Sequence, residues 1–111
     1  MAWKKKTGST VRDLTPLIVE GWTPGTATAR RSGDVVLIDV QALGRPAAGT
    51  GVVQILSLPV GYRPAANVYG RTFRGSLTRC LTGGALSIDA PTSSVDYLHF
   101  TFLTSDPRSA A

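Results

Sequence analysis

The chain has 111 residues, enough for one domain with a working core, and a single cysteine, which excludes an intramolecular disulfide framework. Hydrophobic residues make up 42% and charged residues only 17%, below the roughly one quarter usual for soluble domains. That balance suits a β-rich body that hides surface against partner subunits. The net charge of +5 is unevenly placed: residues 1–12 hold four of the twelve basic residues and none of the seven acids, so the remainder carries a net +1. The basic character therefore belongs to the N-terminus and not to the body.

Residues 1–13 read as an extended basic arm, polar and without periodicity. The run Lys4, Lys5, Lys6 is followed by Thr7-Gly8-Ser9-Thr10 and not by an apolar segment, so no export signal is expected. Trp3 in such an arm fits an anchor on a neighbouring protein, with Lys4, Lys5, Lys6 and Arg12 as its charged contacts. Residues 14–104 are expected to form the β-domain. A short strand over Thr26 to Arg31 leads into the turn signal Gly33-Asp34. Then Val36, Ile38, Val40 and Ala42 alternate with Leu37, Asp39 and Gln41, giving one apolar face and a hairpin. Leu43 to Gly51, with Gly44, Pro46, Gly49 and Gly51, is a loop. Val52 to Leu58 is a strand of weaker alternation, ended by Pro59 to Pro64.

Asn67 to Gly75 reads as a strand with Tyr69, Arg71 and Phe73 on one face, followed by Leu77 to Thr82. Gly83-Gly84 then predicts a two-residue hairpin into Ala85 to Asp89. Ala90 to Ser94 is a loop around Pro91. Val95 to Leu103 is the clearest strand, with Leu98, Phe100 and Phe102 on one face and Tyr97, His99 and Thr101 on the other. Residues 105–111 read as a C-terminal tail. Seven or eight short strands separated by regular turns, without a helical stripe or an internal repeat, predict an all-β fold: a compact antiparallel β-sandwich or jelly roll with an extended N-terminal arm.

Catalytic chemistry is not expected. Cys80 reads as a small buried strand residue. One His and one Cys on different strands are too few for a metal site, and Asp89, Asp96 and Asp106 are dispersed, so neither a metal nor a cofactor is predicted. Glu20 is the sole glutamate, no strained Gly-x-Ser-x-Gly turn is present, and the glycine loop at 44–51 lacks the Lys-Ser or Lys-Thr of a phosphate loop. Tyr69, Arg71, Phe73 and Arg74 could stack bases, but the near-neutral body carries too little charge for the phosphate contacts that dominate nucleic-acid affinity.

Four segments carry a resemblance: Gly21-Trp22-Thr23, then Gly33-Asp34-Val35-Val36-Leu37, then Leu58-Pro59-Val60-Gly61-Tyr62-Arg63-Pro64, then Val68-Tyr69. In that order, over roughly residues 14 to 70, they resemble the small β-domains that end tail fibres and minor tail proteins of bacteriophages. The resemblance implies a non-enzymatic virion structural protein, made in the host cytoplasm and assembled as a homotrimer at the tail tip. Its partners would be its own copies, other tail or capsid proteins and a host-surface receptor. Trp22, Tyr62, Arg63, Tyr69, Arg71 and Phe73 are then the candidate subunit or surface contacts. The short arm makes a capsid decoration protein, docked through residues 1–13, the alternative. A small nucleic-acid-binding module is the alternative of another class. Read physically, Pro59 and Pro64 stiffen a loop turned at Gly61, Tyr62 caps an open end of the sandwich, and Arg63 points outward towards an acid.

Overall fold

A computed structural model of the chain describes residues 9–19, 22, 25–44, 52–89 and 96–107. The expected anchor residues Trp3, Lys4, Lys5 and Lys6, the glycine loop at 45–51 and the Pro91 loop lie outside the described residues, as do Gly21 and Thr23 of the first motif segment. Eight strands are present among the described residues: β1 Ser9–Asp13, β2 Thr26–Ser32, β3 Val35–Leu43, β4 Val52–Ser57, β5 Val68–Arg71, β6 Leu77–Cys80, β7 Ala85–Asp89 and β8 Asp96–Leu103. They form two antiparallel sheets, ordered β1-β2-β3-β8 and β4-β7-β6-β5. The first sheet is three consecutive strands with β8 added beside β3; the second is four consecutive strands in which β5-β6-β7 form a meander and β4 lies beside β7. The fold is all-β, as the alternation predicts.

One hydrophobic core lies between the sheets. β3 contributes Val36, Ile38 and Val40, and β8 contributes Leu98, Phe100 and Phe102. Facing them are Ile55 and Leu56 of β4, Leu86 and Ile88 of β7, and Cys80 of β6. In β8 the buried and exposed residues alternate without a break, because each strand residue points to the opposite face from its neighbour. β4 alternates poorly for a local reason. Its register with β7 shifts between Gln54 and Leu56, so Ile55 and Leu56 are both buried at a bulge.

Three turns organise the hairpins. Gly33-Asp34 joins β2 to β3, with Ser32 opposite Val35 and Gly33 at φ 61°. The β6–β7 connection is not the two-residue turn that paired glycines suggest. Gly84 N–H donates to Leu81 O (2.8 Å) and Leu81 N–H to Ala85 O (3.0 Å), which makes a three-residue loop Thr82-Gly83-Gly84 with only Gly84, at φ 99°, in the left-handed region. The β5–β6 connection repeats this geometry. Gly75 N–H donates to Thr72 O and Thr72 N–H to Ser76 O, both at 2.9 Å, with Gly75 at φ 93°. The strand expected to run to Gly75 therefore ends at Arg71, and Phe73 sits in the loop and not on the face shared by Tyr69 and Arg71.

Both ends of the domain differ from the sequence expectation. Ser9–Asp13, assigned to the arm, pairs with β2 as the edge strand β1. Leu14, directly after it, is wholly buried. The tail expected at 105–111 begins as packed chain: the Asp106 carboxylate accepts Gly61 N–H, and the carbonyls of Asp106 and Pro107 accept from Arg31. Ladder bonding explains the first change, since β2 in the alternative would be an unpaired edge.

Candidate functional site

Two regions collect the residues that the sequence singles out. The first is the corner formed by Leu58 to Pro64. Leu58 is wholly buried; its N–H donates to Gly84 O (2.7 Å) and its carbonyl accepts from Arg63 Nε (2.8 Å). A side-chain carbon on Gly84 would stand 2.7 Å from Leu58 O and 2.8 Å from Arg63 Nε, so the close approach requires glycine. Gly61, at φ 105°, donates its N–H to Asp106 Oδ2 (2.9 Å), and Arg63 N–H donates to the same oxygen (3.2 Å). Tyr62 is 4% exposed and its hydroxyl meets Thr10 Oγ1 at 3.2 Å.

Arg31 closes this corner from below. It occupies an inward position of β2, after Ala27 and Ala29, and is buried. Its guanidinium donates to four carbonyls: Gly33 O (2.8 Å), Gly61 O (2.8 Å), Asp106 O (2.9 Å) and Pro107 O (3.2 Å). Asp34 lies 3.5 Å away at the surface. A buried cation needs such a set of acceptors. Three distant pieces of chain, the β2–β3 turn, the Gly61 loop and the 104–107 segment, are thereby tied together.

The second region is the seam between β8 and β5, the edge strands of the two sheets. Gly70, mid-β5, packs on the Phe100 ring; a side-chain carbon there would stand 3.4 Å from it. The β8 edge is pinned at both ends by loops flanking β5: Phe73 N–H donates to Tyr97 O and Ala65 N–H to Leu103 O, each at 2.9 Å. Beside the first pin lies an open cleft of about 260 Å³ lined by Asp39, Arg71, Phe73, Tyr97 and His99. Phe73 is 80% exposed and its ring meets Tyr97 edge to face, centroids 6.1 Å apart at 89°. Asp39 and His99 are cross-strand partners on β3 and β8.

The expected contact residues thus divide. Tyr62 is buried in the core and so is not available as an outward subunit or surface contact. Arg63 is a correction: it is folded back on Leu58 and does not reach outward for an acid. Trp22 packs against the core and donates Nε1–H to Gln54 O (3.0 Å), while Val19 N–H donates to Ile55 O, so these two residues lie along the outer edge of β4. Tyr69, Arg71 and Phe73 are exposed together at the seam, and Arg12 is exposed on β1, apart from them. Sequence reasoning passed over Arg31 and Asp39. Arg31 carried a signal, since the parity of Ala27 and Ala29 points it inward. Asp39 gained its role only from the β3–β8 pairing.

His99 Nε2 and Thr101 Oγ1 are 2.9 Å apart, and Asp39 lies opposite His99, an outline of acid, imidazole and hydroxyl. Asp39, however, accepts from Gln41 Nε2 (2.9 Å) and not from His99, so nothing orients the imidazole as a base. Cys80 is wholly buried, and burial pushes its thiol up to about 12, which keeps it protonated and unreactive at neutral pH. Arg71 Nη1 donates to Gly75 O (2.9 Å), and Arg79 lies 4.0 Å from Asp89. Among the described residues no cluster of three metal-ligating side chains occurs, and no helix is long and apolar enough to cross a membrane. Comparison with known proteins finds no matching family model, no matching curated protein and no matching solved structure.

Proposed function

We propose that the chain is a non-enzymatic bacteriophage virion protein, a homotrimeric β-domain at the tail tip that works by self-assembly and attachment to a surface. The motif order given above supports the phage reading. The observation that carries self-assembly is the outer face of the β1-β2-β3-β8 sheet. Cross-strand rows there place Val35 opposite Leu103, and Val11 opposite Arg30, with Leu37 next along the same row. Val11, Val35 and Leu103 are 57%, 37% and 64% exposed. Apolar pairs on the open face of a sheet are stabilised when another copy covers them.

Native mass measurement tests this. A trimer is expected, and Leu103→Asp is expected to shift it towards monomer while the fold, followed by circular dichroism, is retained. A monomer at high concentration would remove the assembly reading. Attachment through the N-terminus is tested separately by deleting residues 1–8, which spares β1. Loss of incorporation into particles is expected; normal incorporation would refute docking through Trp3 and Lys4 to Lys6. Imaging of labelled particles separates a tail-tip position from the capsid shell that a decoration protein would occupy.

A further inference from the structure

We propose that the cleft between the Thr72–Ser76 turn and β8 is a binding site for a neutral saccharide, one sugar unit in size. The inference stands on the cleft alone and holds whether or not the chain belongs to a virion. Its starting point is Phe73. A phenyl ring 80% exposed leaves most of its surface in water, yet the backbone that carries it is bonded to β8 at two successive amides. Phe73 N–H is bonded to Tyr97 O. Arg74 N–H donates to Asp96 Oδ1 (3.0 Å), and the same buried carboxylate oxygen accepts Tyr97 N–H (2.9 Å). Thr72 closes the turn through both its backbone and its Oγ1, which accepts Ser76 N–H (3.1 Å). A rigid mount for an exposed ring lowers the ordering cost of binding.

The rest of the cleft supplies what a sugar needs. An aromatic face carries a partial negative charge that attracts the polarised C–H face of a pyranose, and Phe73 and Tyr97 set two rings at right angles. Around them are planar polar groups already fixed by one bond each: Asp39 by Gln41, His99 by Thr101, Arg71 by Gly75 O. Each retains donor or acceptor capacity, and a carboxylate or guanidinium presents two sites spaced for adjacent hydroxyls. The volume, about 260 Å³, lies just below the range of clefts for drug-sized ligands, a size suited to a single sugar unit. Charge selects against the main competitor. Asp39 and Arg71 both line the cleft, so a phosphate entering it would meet a carboxylate as well as a guanidinium, whereas a neutral polyol meets an acceptor and a donor.

The test is a titration of the full ¹⁵N-labelled chain with glucose, galactose, mannose, N-acetylglucosamine and rhamnose, each to about 50 mM, far enough to see millimolar affinity. A separate titration uses oligothymidine. At least one sugar is expected to move the amides of Gly70 to Ser76 and Tyr97 to Thr101 saturably, with the rest of the spectrum unchanged. Phe73→Ala and Asp39→Ala should each weaken that sugar by about tenfold, while both variants keep the native spectrum elsewhere. The proposal is overturned if no sugar perturbs these amides, if oligothymidine moves them and no sugar does, or if the shifts survive both substitutions. It is also overturned if Phe73→Ala changes the oligomeric state, since the ring would then be a subunit contact.

Discussion

The Leu58–Pro64 corner and the β5–β8 seam are both rich in glycine, arginine and aromatic residues, yet they use them in opposite ways. At the corner, Tyr62 is buried, Arg63 is folded onto Leu58, and Gly61 and Gly84 permit close backbone approach. At the seam, Tyr69 and Phe73 stand in water, and Gly70 and Gly75 serve to place them. A recognisable motif is therefore no guide to where a molecule binds. The corner is recognisable because Leu58, Gly61, Tyr62 and Arg63 hold structural tasks within one short run, whereas the seam owes its character to groups brought together from β3, β5 and β8.

That contrast can be broken by substitution. Arg31→Met should cost the most, about 3 kcal/mol in urea unfolding, because four carbonyls lose their donor inside the corner. Gly84→Ala should cost about 2 kcal/mol or more, from backbone strain and contact with Leu58 O. Gly33→Ala sharpens the point: its φ is also positive but nothing lies within 4 Å, so only the conformational part, about 1 kcal/mol, should be lost. Tyr62→Phe should cost about 1 kcal/mol, the value of a single hydrogen bond to Thr10. Phe73→Ala, at the seam, should change stability by less than about 0.5 kcal/mol. A large loss at Phe73 with a small one at Arg31 would invert the comparison.

How much of this the sequence carries follows from the range of each signal. β8 and the β2–β3 hairpin are legible because a strand's own alternation and a two-residue turn are local properties. The bulge in β4 is not, since Ile55 and Leu56 both turn inward only in response to β7. Phe73 was expected on a strand because Tyr69, Arg71 and Phe73 keep period two. The loop bonds of Thr72, Gly75 and Ser76 override that pattern, although Thr82-Gly83-Gly84 shows the same three-residue solution nine positions later. Arg63 illustrates a different limit. Its chemistry suited an ion pair, but a backbone carbonyl five residues back was the nearer partner.

Amide hydrogen exchange of the native chain tests the account most directly. The Gly61 and Arg63 amides, which lie in a turn-rich surface loop but donate to Asp106, should exchange as slowly as the core amides of β3 and β8. Exchange of these two amides at the rate of a solvated loop would contradict the claim that the motif corner is a closed structural clamp.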